Sequence, residues 1–245
     1  MHNVALKHAG LDWTYCAIRV SDAEIDLVPA LLTLESFMGA NVTVPHKILA
    51  QRWCTHLDES AAAMGSVNTL VRTNGAIKGF NTDLPGFLDG LSSANVSIPE
   101  KALILGTGGT SRMVQFALAR AGCKNVLVFS RQTEEGLLSY ELIGEHIKTA
   151  GLLVNCTPKG MWPDVHERPL DLSGVETLEH LTVYDLIYRP FKTRLLLDAE
   201  SKGARIITGL EMFIGQGARA YALWTGKTFQ KEVAYQLLLP ELTKI

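Results

Sequence analysis

The stretch ALILGTGGTSR, residues 102 to 112, decides the fold. Four apolar residues run straight into a glycine-rich turn, and helical spacing resumes directly behind it. A strand, a Gly106-x-Gly108-Gly109 turn and a helix in immediate succession open a nucleotide-binding α/β sheet. Gly106 allows the tight turn, and Gly108 lets the backbone approach a pyrophosphate whose charge sits at the helix N-terminus. Ser111 occupies the place of the fingerprint's third glycine. The competing reading is a glycine turn that only packs a strand on a helix.

Working outward toward the C-terminus, strand-like and helical runs alternate. NVLVF (125 to 129), a helix around SYELIGEHI (139 to 147), GLLVNC (151 to 156), LTVYDLI (181 to 187), a helix through TRLLLDAESKG and ARIIT (204 to 208) predict a parallel sheet with crossover helices. Two helical stretches, about 210 to 225 and 229 to 242, close the chain. The end of the second strand reads the cofactor: a carboxylate there suits NAD, and an arginine suits the 2′-phosphate of NADP. Ser130 and Arg131 occupy that point and favour NADP, while Glu134 and Glu135 follow close behind.

Toward the N-terminus the pattern is different. A polar break, SSANVSIPEK (92 to 101), marks a linker edge. Before it, SVNTLVRT and AIKGF flank Asn74-Gly75, a strong hairpin signal. WTYCAIRV (13 to 20) and ANVTV (40 to 44) read as strands, and AEIDLVPALLTLESF (23 to 37) and a stretch near 84 to 91 as helices, with Pro45 opening another. The expected architecture is α/β: a mixed-sheet domain over residues 1–84, a Rossmann-like domain over 85–209, and C-terminal helices (210–245) that return to the first domain.

Hydrophobic residues make up 47% and charged residues 20%, with a net charge of −2. That balance fits a soluble globular protein and favours neither nucleic acid nor an anionic membrane as partner. Cys16, Cys54, Cys123 and Cys156 are widely spaced without a CxxC pair, as for reduced thiols in a cytoplasm, and no zinc site is expected. No membrane span or signal peptide is legible.

The first domain also carries a polar constellation. Strand alternation would put Asn41 and Thr43 on one face, with Lys47 pointing back from the following turn. Asn68, Asn81, Thr82 and Asp83 fall near strand ends in the same region. A lysine beside an aspartate is the pairing a general acid needs, although each residue alone reads equally well as a cap or a surface ion pair. His46 ranks below Lys47 as an acid, and Met161 and Trp162 read as a wall rather than as chemistry.

The runs NVTVPHK, GSVNTL, GFNTD, GTGGTSR, NCTPKGM, YDLIYRPFKT and GLEMFIGQGA together resemble the shikimate dehydrogenases in order and spacing. The resemblance implies reversible, NADPH-dependent reduction of 3-dehydroshikimate to shikimate, on the route to chorismate. It implies Lys47 and Asp83 as the catalytic pair, and Asn41, Thr43, Asn68, Tyr188 and Gln216 as substrate ligands. Cofactor contacts would come from the turn (Gly106, Thr107, Gly108, Gly109, Thr110 and Ser111), from Ser130 and Arg131, and from Thr157, Leu186 and Gly209. Alternatives are a quinate/shikimate dehydrogenase using NAD and a non-catalytic binding protein of the same fold. The resemblance also implies a strand and a serine-bearing loop ahead of His2-Asn3. The expectation is therefore a start upstream of Met1, with poor turnover in a chain lacking that segment. A monomer or homodimer acting on small molecules is expected.

Overall fold

The computed structural model describes residues 1–132 and 135–243. The chain forms two compact units, Met1–Leu84 with Gln216–Tyr235, and Pro85–Gly215 with the residues from Gln236 on. In chain order the first stretch holds α1 (His2–His8), α2 (Val28–Leu32), β1 (Gly39–Asn41), β2 (His56–Leu57), α3 (Glu59–Met64), β3 (Thr69–Thr73) and β4 (Ala76–Phe80). There follow α4 (Asp83–Ser93), β5 (Lys101–Leu105), α5 (Gly109–Arg120), β6 (Asn125–Ser130), β7 (Leu138–Ser139), α6 (Ile143–His146) and β8 (Leu152–Asn155). The chain continues through β9 (Thr182–Asp185), α7 (Arg194–Glu200), β10 (Arg205–Ile207), α8 (Gly209–Thr225) and α9 (Lys231–Leu242).

The sheet of the first unit has the order β1-β3-β4-β2 and is mixed: β3 is antiparallel to β1 and to β4, while β2 runs parallel to β4. The expected hairpin is present. Asn74 and Gly75 both take positive φ (51° and 78°), as a two-residue turn matching the twist of its strands requires, and the register runs from Thr73↔Ala76 to Thr69↔Phe80. Leu70 and Ile77 on these strands pack against Val67, Ala61, Ala50 and Leu32.

Three local expectations for this unit are corrected. WTYCAIRV is not a strand: residues 11 to 20 join no ladder, because β1 pairs with β3 and no other described strand. Asn3 instead holds the segment at Tyr15, donating from Nδ2 to the Tyr15 carbonyl and accepting the Tyr15 N–H at Oδ1. A strand is a pairing, and apolar alternation alone does not supply the partner. The helix expected over 23 to 37 shrinks to a 3-10 turn, Asp22–Leu27, and the short α2, which starts around Pro29 and ends by Thr33. Pro45 opens a turn rather than a helix, followed by a 3-10 segment, Leu49–Trp53.

The second unit carries a parallel sheet in the order β10-β9-β8-β5-β6-β7. Its central strands are buried along nearly their whole length, as a sheet covered by crossover helices demands. Met113, Val114, Ala117 and Leu118 form the buried stripe of α5. The helix expected over 139 to 147 is broken into α6 between 3-10 turns. The strand order reverses between β5 and β8, which makes the carboxyl ends of those two strands the switch point where such sheets take ligands.

Candidate active site

In the first unit, Lys47 and Asp83 meet: Nζ donates to Asp83 Oδ2 at 2.6 Å, with the side chains 29% and 17% exposed. Neither position is accidental. Main-chain bonding ties the Lys47 carbonyl to Val67 N–H, and Asp83 begins α4 behind Asn81, whose Oδ1 accepts from the Asp83 and Leu84 N–H groups as a helix cap. Asn81 in turn donates to the Ser66 carbonyl, so the loop before β3 and the start of α4 are one hydrogen-bonded piece.

Asn68 lies inside that piece and is buried. Its Oδ1 accepts from Thr82 N–H (2.8 Å), Thr69 Oγ1 (3.0 Å) and Thr82 Oγ1 (3.2 Å). A main-chain donor cannot exchange roles, so the amide orientation is fixed and Nδ2 is turned away from Thr82, with no acceptor among the described residues. Asn41 is engaged on both sides. It donates from Nδ2 to Thr69 Oγ1 and the Asn68 carbonyl, and accepts the Tyr15 hydroxyl at Oδ1 (3.0 Å). Burial pushes the Tyr15 phenol above its usual range, which keeps it a neutral donor. Tyr15 and Thr69 escape sequence reasoning because each reaches Asn41 from more than twenty residues away.

The other expected ligands are more scattered. Thr43 is exposed just past the end of β1, so strand alternation does not govern its direction. Gln216 lies half-buried on α8 within the first unit. Tyr188 belongs to the second unit, where it stacks on Phe213 with ring centroids 4.5 Å apart. His46 is occupied, its Nε2 lying 3.0 Å from the Val20 carbonyl. Trp162 is half-exposed beneath the Arg189 guanidinium, 4.7 Å from the ring centre.

In the second unit the glycine turn has the form a dinucleotide needs. Gly106 takes φ +98°, and a Cβ there would meet Thr157 Cγ2 at 2.9 Å, so the two loops at the switch point are in contact. Cβ atoms on Gly108 or Gly109 would meet nothing within 4 Å, leaving open backbone at the start of α5. Among the described residues no side chain caps that helix, so its first N–H groups are available to an anion. Thr107 and Thr110 are exposed beside them, whereas Ser111 is turned inward and accepts from Gln115 Nε2. At the end of β6, Ser130 Oγ accepts from Gln132 N–H and keeps its own proton to donate, while Arg131 is exposed. Glu135 is exposed as well, and Glu134 lies outside the described residues. An open helix N-terminus and an exposed guanidinium fit the pyrophosphate and 2′-phosphate of NADP.

Leu186 and Gly209 meet through backbone. Gly209 N–H donates to the Ile187 carbonyl, and a Cβ at Gly209 would lie 2.4 Å from the Leu186 oxygen. Main chain cannot give way there as a flexible side chain could. Gly209→Ala is therefore expected to cost at least about 2 kcal/mol, read as a lowered urea midpoint at unchanged m-value.

The family profile described as the shikimate dehydrogenase substrate binding domain matches residues 1–70, and the one described as the shikimate 5′-dehydrogenase C-terminal domain matches residues 209–239. The shikimate dehydrogenase (NADP(+)) of Moorella thermoacetica is 38% identical over 246 residues, covering 93% of this chain and 83% of the relative. Among solved structures, the shikimate 5-dehydrogenase of Listeria monocytogenes, in complex with shikimate and NAD, superposes with a TM-score of 0.88 at 29% identity, covering 97% of this chain and 90% of that one. The enzyme of Thermus thermophilus, in complex with NADP(H) and shikimate, reaches a TM-score of 0.83 at 34% identity, covering 98% and 92%.

Proposed function

This chain belongs to the shikimate dehydrogenase family, and we propose that it interconverts 3-dehydroshikimate and shikimate with NADP(H), on the route to chorismate and the aromatic amino acids. The observation that carries the reading is the 2.6 Å contact of Lys47 with Asp83, set beside the fixed donor amide of Asn68.

NADPH, when bound, supplies the hydride that reduces the ketone carbon. The residues of this chain handle the oxygen. As the carbonyl becomes an alkoxide, the Lys47 ammonium stabilises the growing charge and donates the proton that completes the alcohol. Asp83 holds Nζ in place through both charge states, and in the oxidative direction neutral Lys47 takes the hydroxyl proton back. Asn68 offers a donor to a substrate hydroxyl, and Asn41, Thr43, Gln216 and Tyr188 complete the set we assign to the ring. A ring lacking one hydroxyl would leave such a group unpaired after desolvation, which is a basis for selection.

In this reading residues 1–84 with the helices of 210–245 form the substrate domain, and 85–209 the NADP domain. Gly106 to Ser111 hold the pyrophosphate, Ser130 and Arg131 the 2′-phosphate, and Thr157, Leu186 and Gly209 the remainder. Among the described residues no helix is long and apolar enough to cross a membrane, and no cluster of side chains could hold a metal ion. Balanced charge and free cysteines support a cytoplasmic protein that works on small molecules, and we assign it as a monomer or homodimer.

Initial rates with shikimate or quinate, each against NADP and NAD, test the assignment. Shikimate with NADP is expected to be fastest, and a higher kcat/KM for quinate or for NAD would overturn it. Arg131→Ala is expected to raise KM for NADP about 10- to 100-fold while leaving KM for NAD unchanged, because only the 2′-phosphate loses a charge-assisted pair.

A further inference from the structure

The second unit contains a carboxylate that the proposed chemistry does not use. Asp185 ends β9, is fully buried, and among the described residues is bonded only to uncharged groups. Its Oδ1 accepts from Asn155 Nδ2 and from Ile187 N–H, both at 3.0 Å, and Oδ2 accepts from Thr193 Oγ1 at 2.6 Å. The chain of bonds continues outward: Asn155 Oδ1 accepts Thr157 N–H (2.9 Å) and the Thr157 hydroxyl (2.8 Å), and Thr157 Oγ1 accepts Lys159 N–H. Asn155 and Thr193 are themselves fully buried. Thr193 also caps α7 by accepting Leu196 N–H.

A buried carboxylate without a cation is costly, and an apolar residue of the same volume would fill the space with less penalty. What an apolar residue cannot do is accept donors from three segments at once, as the two carboxylate oxygens do here. The three donors here come from β8, from the loop after β9 and from the residue that starts α7. Two of those segments carry Thr157, at the switch point after β8, and Leu186, after the neighbouring β9.

We propose that Asp185 is a positioning residue: its carboxylate clamps the loop after β8 to the loop after β9 and thereby holds Thr157 and Leu186 at the spacing NADP binding requires. The proposal rests on the reading of those loops as cofactor contacts. Asn155 serves as the spacer, since its amide group faces Asp185 with the donor end and Thr157 with the acceptor end. The clamp acts on backbone amides rather than on the ligand, so it pre-orders the loops before the cofactor arrives.

Amide hydrogen exchange of the ligand-free protein tests the clamp directly, and NADPH titration of the same variants tests its consequence. In Asp185→Ala the Thr157, Lys159 and Ile187 amides are expected to lose protection together while the ladder between β5 and β6 keeps its own, and the NADPH Kd is expected to rise at least about tenfold. Asp185→Asn keeps an oxygen for Asn155 and Ile187 and should restore both readouts to within about threefold of wild type. Asn155→Ala should free Thr157 and Lys159 but leave Ile187 protected, and it remains informative if Asp185→Ala does not fold. Wild-type exchange at Thr157 in both alanine variants, an unchanged Kd, or equal loss in the Asn and Ala variants would each overturn the proposal. A wild-type chain that fails to bind NADPH would instead refute the functional reading, and the exchange pattern would still decide the clamp.

Discussion

Lys47→Met is expected to lower kcat for shikimate oxidation roughly 100- to 10,000-fold, the range spanned by loss of a positioned general acid or base. The same variant should melt close to wild type. Its ion pair with Asp83 is partly exposed, and pairs of that kind contribute from nothing to about 1 kcal/mol once solvent screening is counted. The methionine also keeps most of the apolar stem of the lysine. A large fall in kcat at an unmoved melting temperature would therefore place Lys47 in the chemistry and not in the scaffold. Asp83→Asn should fall less far, because the amide still accepts a bond from Nζ but no longer stabilises its charge. Retention of the wild-type rate by Lys47→Met would remove the proposed proton donor, and a matched loss of kcat and melting temperature would make the residue structural.

Which parts of this arrangement are legible in the sequence follows from how local their causes are. The Asn74-Gly75 hairpin, the β5–turn–α5 unit and the apolar stripe of α5 each depend on residues within a few positions, so their elements emerge where the periodicity changes. WTYCAIRV shows the limit: its alternation is real, and the half-buried Trp13 and Tyr15 face one way, yet no described strand is there to pair with it. On the site, Lys47, Asn68 and Asp83 stand out as polar residues at strand and helix ends. What could not be read is the web between them, because the bonds of Tyr15 and Thr69 to Asn41 span 26 and 28 residues. Asp185 is hidden for another reason. Within LTVYDLI it looks like a polar interruption of a strand, and only the parallel pairing of β8 with β9 brings Asn155, and the return of the chain into α7 brings Thr193, onto its oxygens.

Two buried titratable groups, one in each unit, should give the protein opposing acid responses. His2 in the first unit packs against Tyr15, Trp224 and Phe229, and its buried Nδ1 has no partner among the described residues. Burial, with a smaller push from the Met1 amino group, lowers its imidazole from 6.5 to about 4. Between those values the unfolded chain holds a proton that the folded chain does not, so stability is lost as pH falls, by about 3 kcal/mol over the window. Asp185 in the second unit runs the other way. Burial raises its carboxyl from 3.8 to about 6 against the three hydrogen bonds that favour the charge, and Cys156 nearby stays a neutral thiol because burial raises it too. From 3.8 to about 6 the folded chain keeps the proton that the unfolded chain has released, so stability falls as pH rises, again by about 3 kcal/mol. In a single unfolding transition the two contributions oppose each other across this range. Single substitutions separate them. Relative to wild type, Asp185→Asn should gain stability with rising pH across this range, and His2→Phe, which keeps a ring in the cluster, should gain it with falling pH. Urea midpoints measured at half-unit steps would show two difference curves of opposite slope, and parallel or flat curves would mean that neither group titrates as its burial requires.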